Sequence, residues 1–272
     1  MTADEQLLAA AFLDGERALD AWRAWSAEAD IDALDGERVA LLPQLYRNIT
    51  ELGADGPLVD RLRSPYRRSW VASQLLLQHA IPAVAALEAD GVDVLVVGAT
   101  GHALSVYPDA GARPFGAVEL LVPPADRRRA LRTLRRAGWR AIGLLLRRRL
   151  RPLVRGRQFL SGPEDALIAI SWTSPLVRET AEEPPLDAAV QGVRVRVPGL
   201  ASQLAEARRA AASRNPPDLR ARGDVLAVMR TAGLIPDGDA IDLDHPEVGV
   251  DCHREETADR VPARAQRPED LL

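Results

Sequence analysis

The chain contains no lysine: all 35 basic residues are arginine. That excludes lysine Schiff-base catalysis and a lysine ammonium on a substrate phosphate. A single cysteine, Cys252, excludes an internal disulfide and suits a reducing compartment, so a cytoplasmic location is expected. No uninterrupted apolar run reaches the roughly 18 residues that span a bilayer, and Met1-Thr2-Ala3-Asp4-Glu5 does not read as a signal peptide. Neither a membrane segment nor a membrane partner is therefore expected. The sequence also lacks a G-x-S-x-G elbow, a P-loop and a dinucleotide fingerprint. The net charge of −4 gives no global drive toward nucleic acid.

What remains is an ordinary globular composition, 47% hydrophobic and 27% charged, in 272 residues. That length suits one large domain or two small ones. Helical spacing of Leu7, Leu8, Ala11, Phe12, Leu19, Trp22 and Trp25 predicts a helix over 3–27. Further helices are expected over 38–52 and 57–90, the latter interrupted near Ser64-Pro65 or kinked at Pro82. Gly91 marks a switch to strand, with Val92, Val94, Leu95, Val96 and Val97 a β-branched run. Strands are also expected over 117–122, 139–141, 158–160, 166–172 and 193–197. Between them a helix runs to Ala137, and 200–212 and 219–232 read as closing helices. The fold class is thus α+β, a mixed sheet of about five strands with flanking helices. The expected organisation is 1–90 helical, 91–199 α/β core, 200–235 closing helices and 236–272 a flexible tail.

The chemistry-bearing stretch is VLVVGATGHALSVYPDAGARPFGAVELLV, residues 94–122. It reads as strand, glycine turn, short helix, Arg-Pro loop and second strand. A glycine turn before a helix can offer backbone N–H groups to an anion; a tight connection without ligand is the plainer alternative. Gly98, Ala103, Leu104, Tyr107, Arg113, Pro114 and Leu120-Leu121-Val122 together resemble the bacterial family of uncharacterised nucleotidyltransferases, a branch of the polymerase-β-like superfamily. The resemblance extends from LLPQLYRNITELG and YRRSWVASQLLL to about Arg230. It implies two metal ions held by carboxylates on alternate strand residues. Val97 stands where the family has Lys, and Ala117 and Glu119 where it has its two Asp. Ala169 replaces the third acid and Ser171 the His that follows it, before Trp172.

Two functions stay open on this reading. One is a catalytically degenerate nucleotidyltransferase-like protein that binds a small molecule or a peptide or protein partner. No cofactor or metal is expected in that case. By the resemblance, the setting would be natural-product or peptide modification. The other is an enzyme using the same cleft, by residual nucleotidyl transfer with Mg and a nucleoside triphosphate or by a different reaction. Glu119 and His102 would then be its catalytic residues. Gly98, Tyr107, Arg113 and Trp172 are the expected ligand-binding residues. The acid-free arginine run between Arg127 and Arg157 could draw RNA or an acidic partner, although no aromatics are interleaved as in single-strand binders. Asp242-x-Asp244-His245 and Asp251-Cys252-His253 hold metal-ligand residue types, and the default for them is a flexible acidic tail.

Overall fold

The computed structural model describes residues 1–142, 156–173, 183–213 and 218–234. The expected C-terminal tail, its Asp, His and Cys residues, and Arg147 to Arg155 lie outside them.

The first helical stretch is two helices rather than one, α1 (Ala3–Phe12) and α2 (Gly15–Glu28). Their break is held by side chains from α4 (Leu42–Glu51), which follows the short α3 (Gly36–Val39). Asn48 donates to the carbonyls of Ala10 and Leu13, at 2.9 and 2.8 Å, and Gln44 donates to that of Ala11 at 2.9 Å. These carbonyls end a helix and have no intrahelical partner, so the two amides satisfy them inside the core. Periodicity carries no trace of such a long-range cap.

Helix α5 (Pro57–Ala89) is continuous over 33 residues, with Pro65 and Pro82 inside it. Each proline removes one backbone bond. The helix persists because Leu76, Leu77, Ile81, Val84 and Leu87 are buried beneath the sheet, and each such side chain contributes about 1.5–3 kcal/mol. By length and composition α5 is apolar enough to cross a membrane, but that apolar face forms the protein's own core.

The main sheet has the order β1-β2-β5-β4-β3, from β1 (Leu95–Val97), β2 (Val118–Leu121), β3 (Arg140–Ala141), β4 (Arg157–Ser161) and β5 (Leu167–Ser171). Only β2 and β5 run parallel among these pairs, so the sheet is mixed as expected. One face carries Val96, Val118, Leu120, Ile168, Ile170 and Leu160, packed on α5 and on α7 (Arg127–Arg136). The other face carries Val97, Glu119, Ala169 and Phe159, aligned across four strands.

Residues 193–197 form β7 (Val193–Val197), which does not join this sheet. It pairs with β6 (Leu186–Val190) in a separate hairpin. Two residues with positive φ explain the hairpin's tightness: Val190 and Val193 pair across Gln191 (φ 51°) and Gly192 (φ 79°). Arg196 ties β7 to the entrance of β1, donating to Asp93 at 2.6 Å and to the Val94 carbonyl at 3.3 Å. Helices α8 (Leu200–Ala212) and α9 (Leu219–Thr231) then pack against each other, and α9 packs on α1.

Candidate active site

The cleft opens where β1 turns into α6 (Gly98–Ser105). Gly98 has φ of 63°, which an L side chain adopts only with strain. A Cβ there would also stand 2.7 Å from the Glu119 carboxyl carbon, so the turn presses directly on that carboxylate. Thr100 fastens the new helix to β2 by donating to the Ala117 carbonyl at 2.8 Å.

The loop after α6 is shaped by Asp109, whose carboxylate accepts from the Gly111 and Ala112 amides. Tyr66 donates to it at 3.0 Å, and Arg47 pairs with it at 2.9 Å. That frame delivers Arg113 to the cleft wall. There Nε and Nη2 grip Asp224 of α9 at 2.7 and 2.8 Å, while Nη1 donates to the Pro114 carbonyl at 2.8 Å. Tyr107 donates to the same carboxylate at 2.8 Å. Burial disfavours the Asp224 anion, but Arg113 and His102 outweigh it and hold the carboxyl far below the usual range. Burial and the neighbouring Asp224 push the Tyr107 phenol well up, so it stays a neutral donor.

Around this wall lies a cavity of about 380 Å³ lined by Gly98, His102, Arg113, Glu119, Glu206 and Asp224 among others. Gly98, His102, Arg113 and Glu119 are therefore brought together. Tyr107 stands behind Asp224, its ring edge-on to Phe12 at 5.9 Å. Trp172 lies outside the cavity. It follows β5 at the parity of Ile168 and Ile170, so it packs on the core side, with the Arg127 guanidinium 4.1 Å above its ring.

Parallel register sets Glu119 opposite Ala169 on neighbouring strands, and Ala117 shares their face by alternation. The motif positions thus converge in space as the resemblance implies. Their chemistry is another matter. Holding two divalent cations takes several converging carboxylates, each free to coordinate. Of Ala117, Glu119 and Ala169 one is an acid, and Arg157 donates to its Oε2 at 2.5 Å. The described residues hold no group of three or more acids, histidines or cysteines placed for a metal. This donor set does not fit a pair of divalent ions.

Two cleft residues carry no signal in the sequence motif. Asp224 arrives from α9, and Glu206 from α8 accepts from the Gly98 N–H at 3.4 Å. Glu206 thus faces the helix N-terminus, where an anionic ligand would otherwise be drawn. Burial, with Glu119 nearby, raises its pKa, although His102 works against the shift.

A family model for uncharacterised nucleotidyltransferases matches residues 36–172, half of the 272 residues. The chain belongs to that family. No curated protein matches it. Among solved structures it is similar to the antibiotic-resistance factor ANT(2'')-Ia, at 15% identity and a TM-score of 0.42, over 60% of this chain and 85% of the other. It is also similar to an antigenic nucleotidyltransferase-like protein from Paracoccidioides brasiliensis, at 12% identity and a TM-score of 0.40, over 56% of this chain and 75% of the other. For this nucleotidyltransferase family member the fold is α+β, with its motif strands adjacent.

Proposed function

We propose that this nucleotidyltransferase-like protein works by binding a small molecule or a peptide or protein partner in its cleft, without metal-dependent nucleotidyl transfer. One observation carries the reading. Where the frame would gather carboxylates around two cations, it gathers Ala117, Ala169 and a Glu119 neutralised by Arg157. The position of Glu206 at the Gly98 amide supports it further, because a triphosphate there would meet a resident carboxyl group. The cytoplasm is the proposed compartment, supported by the single Cys252. A natural-product or peptide-modification setting is proposed on family resemblance alone.

The test is calorimetry of the full chain with magnesium and each nucleoside triphosphate. No binding tighter than about millimolar, roughly −4 kcal/mol, is expected. A micromolar, magnesium-dependent isotherm that disappears in Glu119→Gln would overturn the proposal. A second reading, different chemistry in the same cleft, is favoured by the environment of His102.

A further inference from the structure

Helix α6 brings His102 into the cleft wall with its side chain 3% exposed. Neither ring nitrogen has a hydrogen-bond partner among the described residues. Nδ1 stands 3.5 Å from Oδ2 of Asp224, an electrostatic contact too long for a good hydrogen bond. A buried polar side chain left without partners calls for a specific explanation. Asp224 is itself immobilised by Arg113 and Tyr107, so it fixes which edge of the imidazole faces the carboxylate.

We propose that His102 is the acid–base residue of the cleft, that Asp224 is its positioning residue, and that the ligand is a hydroxyl-bearing small molecule without negative charge. This rests on the cleft being a ligand site and adds a chemical step to it. In that step the Nε2 lone pair takes the hydroxyl proton. The O–H bond breaks with its electron pair left on oxygen, an N–H bond forms, and the imidazolium charge faces Asp224. Return of the same proton completes the exchange, and no further reactant enters.

The ligand class follows from the charges around the cavity. Arg113 is bound to Asp224, Arg157 to Glu119 at 2.5 Å, and Arg220 lies 3.5 Å from Asp218. Each of these arginines is held by an acid, and Glu206 adds a further carboxyl group to the lining, so the wall does not favour an anionic ligand. The other two carboxyl groups suit proton transfer less well. Glu119 is fixed by Arg157, and Glu206 already accepts from Gly98.

The charged groups facing His102 are Asp224 from α9, Glu206 from α8 and Arg113 from the loop; the Tyr107 hydroxyl is turned to Asp224. Burial works against the imidazolium, yet Asp224 and Glu206 outweigh it and raise the His102 pKa above 6.5. The base form therefore appears on the alkaline side of the ordinary histidine range.

The experiment uses the full chain with labelled histidine, followed by NMR across pH and by ethoxycarbonylation with diethyl pyrocarbonate. The reagent forms an Nε2–C bond with neutral histidine and releases carbon dioxide and ethanol. Neutral His102 is expected to carry its proton on Nδ1 and to be modified at Nε2 in the folded protein. In Asp224→Asn the midpoint moves down, and at pH below both midpoints modification is faster by about tenfold for each pH unit between them. A proton on Nε2, absence of modification, or a midpoint unmoved in a folded Asp224→Asn protein would overturn the proposal. If that variant fails to fold, the wild-type tautomer and modification decide alone. With 4-nitrophenol as hydroxyl probe, phenolate absorbance should appear at lower pH on the protein than in buffer and vanish in His102→Gln. No shift would remove the hydroxyl ligand. Magnesium–nucleotide calorimetry stays separate: binding there would overturn the preceding proposal and leave the His102 result standing.

Discussion

Removing Asp224 tests the arrangement that holds the cleft wall together. The Asp224→Ala protein would keep the Arg113 guanidinium in place, its side chain 11% exposed, with no carboxylate to meet it. Breaking one side of a buried ion pair costs about 3–5 kcal/mol, because the remaining charge stays desolvated. The Tyr107 hydroxyl also loses its acceptor at 2.8 Å, a loss of about 1–3 kcal/mol when counted alone. These overlap, so about 4 kcal/mol is expected from a total near 5–15 kcal/mol for a protein of this kind. At about 2–4 °C per kcal/mol, the melting temperature falls by roughly 8–16 °C. Urea or thermal unfolding of Asp224→Ala, Arg113→Ala and the double variant closes a cycle. The double variant should lose less than the sum of the two, with a coupling of about 2–3 kcal/mol. A loss below about 1 kcal/mol in Asp224→Ala, or additive losses, would refute a buried ion pair at this wall.

Asp224 also predicts an acid limb. Its folded pKa lies well below 3.8, so its contribution is present above that value and fades as pH falls toward the folded one. Unfolding free energy should drop more steeply below about pH 4 in wild type than in a folded Asp224→Asn protein. Gly98→Ala should cost at least about 1–2 kcal/mol from the left-handed backbone alone, with the Glu119–Arg157 pair displaced by the new Cβ; chemical denaturation measures the first effect and a crystal structure the second. Reversal of the exposed Arg128, Arg132 and Arg135 to Glu should change stability by within about 0.5 kcal/mol each. If RNA or an acidic partner uses this face, its affinity should fall and its salt dependence flatten in filter-binding assays.

The element sequence was legible because it rests on local signals. The β-branched run before Gly98, the alternation through 117–122 and the helical spacing of the closing segments all reappear within a few residues. What escaped is long-range. The α1–α2 break depends on Gln44 and Asn48 reaching carbonyls more than thirty positions away. The continuity of α5 through Pro65 and Pro82 depends on burial that only the folded sheet provides.

The cleft divides in the same way. Gly98, His102, Arg113 and Glu119 share a cavity because a short turn, helix and strand place them together. Trp172 was read through its motif, whereas the parity of β5 sends it to the core side. Glu206 and Asp224 reach the cleft from helices over a hundred residues beyond Gly98 and Arg113, as 108 and 111 positions of separation attest. One usable signal was present: an Asp directly before the apolar run Val225 to Met229 in α9, a buried position that tolerates a carboxylate only when it is paired.

We propose that a nucleotidyltransferase frame persists here without its metal chemistry. Manganese binding, followed by electron paramagnetic resonance, compares the wild type with Ala117→Asp/Ala169→Asp, in which Glu119 is left as the third acid. The register of β2 and β5 predicts that the restored protein binds manganese at least about tenfold more tightly, a gain of about 1.4 kcal/mol. Wild-type binding as tight as that of the restored protein would contradict the account.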